Sequence, residues 1–139
     1  MNRLGKILLI DDSESDNFVH KRLLEKENVA EEIVIKYSGE AALEYLSTLV
    51  KAAYPKPDLI FLDINMPGMN GWEFLDHYRD LGIEKKGGIV ITMLTTSSSE
   101  EDRIKASQNP MINRFENKPL NRERLYDILE KHFPDRFSI

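Results

Sequence analysis

Residues 59–63 of the chain read LIFLD, four consecutive apolar side chains followed by an aspartate. Two further stretches, ILLI at 7–10 and IVITML at 89–94, are also apolar at nearly every position rather than at every second one. Continuous apolar runs of this length are typical of strands that are buried on both faces, as in a parallel sheet covered by helices. The three stretches therefore predict a central parallel sheet.

Amphipathic stretches between these runs predict the helices. Their apolar residues recur at helical spacing, so that each stretch presents one apolar stripe to the sheet. The apolar positions are Phe18, Val19 and Leu23; Ala42, Leu46, Leu49 and Ala53; Leu75 and Tyr78; and Leu125, Ile128 and Leu129. Residues that commonly cap helices stand before them, namely Ser13 and Ser15, Ser38 and Gly39, Asn70 and Gly71, and Asn121. A further helix is predicted between Ser97 and Ser107.

The pattern as a whole predicts an α/β protein, a doubly wound five-stranded parallel sheet with five helices. The predicted strands are Lys6–Ile10, Ile33–Tyr37, Leu59–Leu62, Ile89–Leu94 and Arg114–Asn117. In such a sheet, ligands bind beyond the carboxyl ends of the strands. Functional residues are therefore expected where strands end.

The composition limits the classes of function. The chain has 139 residues, a length typical of one domain, so we expect a single domain over residues 1–139 and no output domain. Its net charge of -5 opposes binding to nucleic acid, and the lack of cysteine excludes disulfides and thiolate metal sites. The apolar run at 7–10 is too short for a signal peptide or a membrane span, which predicts a cytoplasmic protein.

The candidate functional residues stand at the ends of four predicted strands. Taken singly, each has an ordinary structural explanation, such as a helix cap for Asp12 or a turn for Asp63. Taken together they do not, because a cap requires one acidic side chain and this pattern gathers carboxylates from two strands. The candidates are Asp11 and Asp12 after the first strand, Asp63 after the third, Thr95 and Thr96 at the fourth, and Lys118 and Pro119 after the fifth.

Carboxylates gathered at one edge repel one another. Two unit charges about 4 Å apart at an effective dielectric of about 20 repel by ~4 kcal/mol, so the cluster requires a compensating cation. Oxygen ligands without histidine or cysteine favour a hard ion, and Mg²⁺ more than zinc. We therefore expect Asp11, Asp12 and Asp63 to bind Mg²⁺.

A lysine and a hydroxyl opposite this metal are suited to a phosphoryl group, because both can donate hydrogen bonds to its oxygens. The nucleophile would then be a carboxylate. Asp63 is the best candidate, since Asp11 and Asp12 are adjacent at one strand end and more naturally share the metal. Attack by Asp63 would produce an acyl phosphate.

These motifs resemble the receiver domain of two-component response regulators, in particular the stand-alone, chemotaxis-regulator-like kind. The resemblance extends from about Lys6 to Phe133 and implies a flavodoxin-like sheet with strand order 2-1-3-4-5. It rests on the acidic pair after ILLI, the segment LIFLDINMPGMNGWEFL at 59–75, the threonines of ITMLTTS at 91–97 and the segment FENKPL at 115–120.

The resemblance also implies partners and a cofactor. Asp63 would accept a phosphoryl group from a sensor histidine kinase or a histidine phosphotransfer protein, as in a phosphorelay. Mg²⁺, for which Mn²⁺ can substitute, would be held by the three aspartates and by the backbone carbonyl of Asn65. Lys118 would pair with the phosphoryl oxygens, and its bond to Pro119 would be cis.

A threonine and an aromatic residue form the switch that the resemblance implies. Phe115 matches the aromatic position that rotates when the threonine moves towards the phosphate. Counts from the flanking motifs disagree, one favouring Thr95 and the other Thr96, and we take Thr95 as the switch residue. Thr96 and Ser97 are then expected to modulate the reaction, with Thr96 hindering water and prolonging the phosphorylated state.

Three functions compete. The first is a receiver that catalyses only its own phosphorylation and dephosphorylation and switches its surface for a downstream protein target, without binding nucleic acid or inserting into a membrane. The second is a Mg²⁺-dependent phosphohydrolase with an aspartyl-phosphate intermediate, which needs a general acid where this chain has Asn65. The third is a phosphorylation-independent adaptor of the same fold, which does not explain why every reactive group is present. We therefore favour the first.

Overall fold

The computed structural model describes residues 3–48, 53–81, 88–96 and 99–137. Its strands form a parallel sheet in the order β2-β1-β3-β4-β5, which confirms the predicted fold class and strand order. The strands are β1 (Leu4–Ile10), β2 (Ala30–Lys36), β3 (Leu59–Asp63), β4 (Val90–Thr95) and β5 (Arg114–Asn117).

The helices of the described residues connect and cover these strands. Side-chain oxygens of Ser13, Ser38, Asn70, Ser99 and Asn121 accept backbone N–H groups at the starts of the first five helices. The helices are α1 (Glu14–Glu27), α2 (Gly39–Ser47), α3 (Gly71–Arg79), α4 (Glu100–Ser107), α5 (Arg122–His132) and the single turn α6 (Pro134–Phe137). The last is an addition to the five predicted helices, because four residues are too few to show an apolar stripe.

The sheet is buried on both faces, as the continuous apolar runs predict. Leu8 and Ile10 of β1 point into a core that α2 and α3 cover. Their neighbours Ile7 and Leu9 point into a second core that α1 and α5 cover. Residues of a strand alternate between faces, so a strand between two helical layers must be apolar throughout. This arrangement brings the carboxyl ends of β1, β3 and β4 to one edge.

Some predicted boundaries are wrong. The second strand begins at Ala30 rather than Ile33, because it is an edge strand whose early residues include the exposed glutamates Glu31 and Glu32. It ends at Lys36, before Tyr37. Helix α2 ends at Ser47, so Ala53 is not part of it, and Leu49 lies outside the described residues. Ser15 lies inside α1 because Ser13 alone provides the N-cap.

Gly71 determines how closely α3 approaches the end of β3. Its N–H donates to the carbonyl of Ile64 at 2.7 Å. A Cβ atom on Gly71 would lie 2.5 Å from the carbonyl oxygen of Asp63 and 3.0 Å from the Cα of Ile64. Backbone atoms cannot move aside as a flexible side chain can, so this position requires glycine.

We expect Gly71→Ala to lower the free energy of unfolding by about 1–3 kcal/mol, because the added methyl group overpacks against backbone. Urea unfolding measures the change. Gly5→Ala is the matched control, since a Cβ there would lie 3.4 Å from an Asp58 carboxylate oxygen, an ordinary contact. Equal losses in the two variants would contradict the close approach as the cause.

Candidate functional site

Two strands bring three carboxylates together. Asp11 and Asp12 follow the end of β1, and Asp63 is the last residue of the neighbouring strand β3. One carboxylate oxygen from each lies within 4.8 Å of the others. Asp11 and Asp63 are only 5% and 7% exposed, whereas Asp12 is exposed to solvent. The predicted cluster is therefore present, with two members largely removed from water.

The first turn of α1 fixes the orientation of Asp11. A carboxylate oxygen of Asp11, Oδ1, accepts the N–H of Ser13 at 3.0 Å. The backbone carbonyl of Asp11 accepts the side-chain amide of Asn17 at 2.8 Å. The side chain of Asn17 is buried, and its Oδ1 has no hydrogen-bond partner among the residues that the structure describes. Sequence reasoning missed Asn17, for which no motif gave a signal.

The ammonium group of Lys118 lies among these carboxylates. Its Nζ is 2.6 Å from Asp11 Oδ2, 2.9 Å from Asp16 Oδ2 and 3.3 Å from Asp63 Oδ1. The backbone N–H of Lys118 donates to the carbonyl of Thr95 at 2.8 Å, and the Lys118–Pro119 peptide bond is cis. Sequence reasoning missed Asp16, in the first turn of α1, because its position depends on where that helix begins.

Burial and charge shift the ionisation of the site. Burial, followed by repulsion from Asp11, raises the pKa of Asp63 to about 6, although Lys118 acts in the opposite direction. Burial alone would lower the pKa of Lys118, but its hydrogen bonds to Asp11 and Asp16 and the charge of Asp63 raise it above the ordinary value. The lysine therefore stays charged at neutral pH.

Behind this cluster, His20 links α1 to the loop that follows Lys118. Its Nε2 accepts the backbone N–H of Leu120 at 3.2 Å. Burial and the nearby charge of Lys118 lower the pKa of this imidazole, which keeps Nε2 available as an acceptor. His20 thus has a structural role in joining α1 to this loop.

The two threonines differ sharply in exposure. Thr95 is the last residue of β4, is fully buried and pairs with Asn117 of β5. Thr96 is exposed, and Ser97 lies outside the described residues. Phe115 is half-buried in β5, and the guanidinium of Arg103 lies 5.6 Å from its ring centre.

The residues present suit a divalent cation. Three carboxylates supply only oxygen ligands, the donor set that Mg²⁺ prefers, and exposed Asp12 leaves the cluster open to solvent. Asn65 is exposed in the loop two residues after Asp63. The same cluster is poorly suited to zinc, which favours nitrogen and sulfur ligands.

Comparison with known proteins assigns the family. A family model of the response regulator receiver domain matches residues 7–130. Response regulator Rcp1 of Synechocystis sp. is 32% identical over 127 residues, which cover 89% of this chain and 83% of that protein. Two-component response regulator 24 of Arabidopsis thaliana is 32% identical over 124 residues, which cover 89% of this chain and 81% of that protein.

The solved structures agree. A two-component response regulator from Cytophaga hutchinsonii superposes with a TM-score of 0.86 at 32% identity, covering 95% of this chain and 98% of that one. The bacteriophytochrome response regulator AtBRR gives a TM-score of 0.75 at 26% identity, covering 99% of this chain and 95% of that one. The chain belongs to the response regulator receiver domain family of two-component systems. No helix among the described residues has the length and apolar character needed to cross a bilayer.

In the metal-free protein, we expect Asp63→Asn to raise the free energy of unfolding by about 1 kcal/mol above pH 6. The pKa of Asp63 rises from 3.8 to about 6 on folding, so the ionised carboxylate opposes the folded state. The gain should shrink as the pH falls through this window and vanish below about pH 4. Urea unfolding across pH, with chelator present, measures it.

Asp76→Asn, which neutralises an exposed carboxylate on α3, is the control for this measurement. Its effect on the free energy of unfolding should stay within about 0.5 kcal/mol. Destabilisation by Asp63→Asn that grows as the pH rises above 4 would show that the Asp63 charge is favourable in the fold.

Proposed function

We propose that Asp63 is the phosphoacceptor of this receiver domain. The observation that carries the proposal is the placement of the Lys118 ammonium 3.3 Å from Asp63 Oδ1, beside two further carboxylates suited to a divalent cation. Attack by an Asp63 oxygen on phosphorus forms an acyl phosphate and breaks the P–N bond of a phosphohistidine. The electron pair of that bond stays on the imidazole nitrogen, which takes up a proton.

The remaining side chains supply charge and orientation. Asp11, Asp12 and Asp63, with the carbonyl of Asn65, would hold Mg²⁺ or Mn²⁺, which supplies charge neutralisation for the phosphoryl oxygens when bound. Lys118 donates hydrogen bonds to those oxygens, and its raised pKa keeps it charged. The phosphodonor is a sensor histidine kinase or a histidine phosphotransfer protein in the cytoplasm.

The chemistry favours a signalling protein over a phosphohydrolase. A hydrolase of small phosphomonoesters requires a general acid close to the nucleophile, and the residue two positions after Asp63 is Asn65, whose carboxamide cannot supply a proton. The protein therefore catalyses only its own phosphorylation and dephosphorylation. Its output is a change in affinity for a downstream protein, coupled to Thr95 and Phe115.

The test of this function is phosphorylation by a small donor. With Mg²⁺ and acetyl phosphate, we expect intact-mass spectrometry to show a gain of one phosphoryl group. Asp63→Asn should abolish the gain, because the carboxamide does not replace the nucleophilic carboxylate. Asp76→Asn should behave like the parent.

A parent protein that gains no phosphoryl group from acetyl phosphate, phosphoramidate or a phosphorylated histidine phosphotransfer protein would contradict the proposed function. Continuous release of phosphate from small phosphomonoesters would favour the phosphohydrolase.

Thr96 is proposed to slow hydrolysis of the acyl phosphate, since its exposed side chain follows β4 directly. We expect Thr96→Ala to lose the phosphoryl group several-fold faster than the parent, because a methyl group shields less of the phosphorus from water. Intact mass against time measures the rate. Thr96→Val separates bulk from the hydroxyl group: it should retain the slow rate, and a fast rate in this variant would assign the effect to hydrogen bonding instead.

A further inference from the structure

We propose that Asp16 is a positioning residue that competes with the phosphoryl group for Lys118 and thereby limits phosphorylation of Asp63. The proposal rests on the proposed function. The carboxylate oxygen Oδ2 of Asp16 lies 2.9 Å from Lys118 Nζ, closer than the Asp63 oxygen at 3.3 Å. The lysine side chain is 7% exposed and that of Asp16 is 37% exposed.

The start of α1 holds Asp16 in this position. The Ser13 hydroxyl oxygen accepts the Asp16 N–H at 3.2 Å, and the Ser13 N–H donates to Asp11 at 3.0 Å. The helix cap therefore fixes the Asp16 backbone and the Asp11 carboxylate beside the ammonium group. From this backbone position the Asp16 carboxylate accepts a hydrogen bond from Lys118 Nζ.

Two of the three ammonium protons of Lys118 are already engaged. A lysine donates three hydrogen bonds, and Nζ donates to Asp11 at 2.6 Å and to Asp16 at 2.9 Å, while Asp63 Oδ1 lies 3.3 Å away as an ion-pair partner. The oxygens of a phosphoryl group on Asp63 can accept more than the one remaining proton, so a second hydrogen bond to them requires an existing contact to weaken. Asp16 lies outside the group of Asp11, Asp12 and Asp63 that could bind a cation. The contact between Lys118 and Asp16 can therefore be lost while that group stays intact.

The charge of Asp16 also opposes phosphorylation of Asp63. Phosphorylation replaces the single negative charge of Asp63 with about -1.5 to -2 on the phosphoryl group. The Asp16 carboxylate repels that added charge and also neutralises part of Lys118. Removing the carboxylate charge while keeping the shape of the side chain should therefore favour the phosphorylated state.

The experiment titrates beryllofluoride, a phosphoryl mimic that binds an aspartate carboxylate, into protein saturated with Mg²⁺. Binding is followed by ¹⁹F NMR for the parent, Asp16→Asn, Asp16→Glu and Glu14→Gln. Glu14 is the matched control, since it is an exposed acid in the same helical turn and lies outside the three ion pairs of Lys118. Thermal unfolding of each variant is recorded in parallel.

We expect Asp16→Asn to lower the half-saturating beryllofluoride concentration about two- to fivefold, the size expected for a partly exposed ion pair. Asp16→Glu keeps the charge within reach of Lys118 and should stay close to the parent. Glu14→Gln should not reproduce the gain. A role limited to helix stability would instead lower Tm and leave the half-saturating concentration unchanged.

Weaker or unchanged binding by Asp16→Asn overturns the proposal, since Asp16 would then hold Lys118 in its productive position or have no effect on it. An equal gain in Glu14→Gln also overturns it, because general charge would explain the result. These outcomes leave the proposed function intact. Failure of the parent itself to bind beryllofluoride would instead contradict the proposed function.

Discussion

The contact of the Lys118 ammonium group with buried carboxylates is the constraint on which the rest of this site depends. Asp11 and Asp63 are almost removed from water, and like charges repel more strongly in a buried site than in water. Lys118 reaches both of them and Asp16 as well, so that the ends of β1 and β3, the start of α1 and the end of β5 converge on one nitrogen atom. Four carboxylates, those of Asp11, Asp12, Asp16 and Asp63, face this one ammonium group, so the balance of charge remains negative. That residual negative charge is what makes the pocket suitable for a divalent cation.

The sequence predicts this fold well because its strongest signal comes from the interior. Strands β1, β3 and β4 lie between two helical layers, so nearly every residue must be apolar and the runs are easy to recognise. Strand β2 lies at the edge of the sheet, and two of its first three residues are exposed glutamates that carry no such signal. The sequence does not predict the short helix α6, because helical periodicity needs more than one turn to appear.

The residues of the site also divide into those that the sequence predicts and those that it does not. Residues at the ends of buried strands could be placed without coordinates, because parallel strands bring their carboxyl ends to one edge. Asp16 and His20 could not, since their positions depend on where α1 begins and how it packs on the sheet. The choice between Thr95 and Thr96 also depended on register. Thr95 is a buried residue of β4 that pairs with Asn117 of β5, whereas Thr96 lies beyond the strand and faces solvent.

A chemical change at one atom can redistribute these contacts because they share one ammonium group. Lys118 also donates its backbone N–H to the Thr95 carbonyl, so β4 and the loop after β5 are joined at the residue that contacts the carboxylates. Phe115 lies three residues earlier and is covered on one side by Arg103 of α4. A shift of Lys118 towards a phosphoryl oxygen would thus act on β4, β5 and α1 together. The ion pair between Lys118 and partly exposed Asp16 contributes only ~0.2–1 kcal/mol, so this contact can respond to a single added group without unfolding the domain.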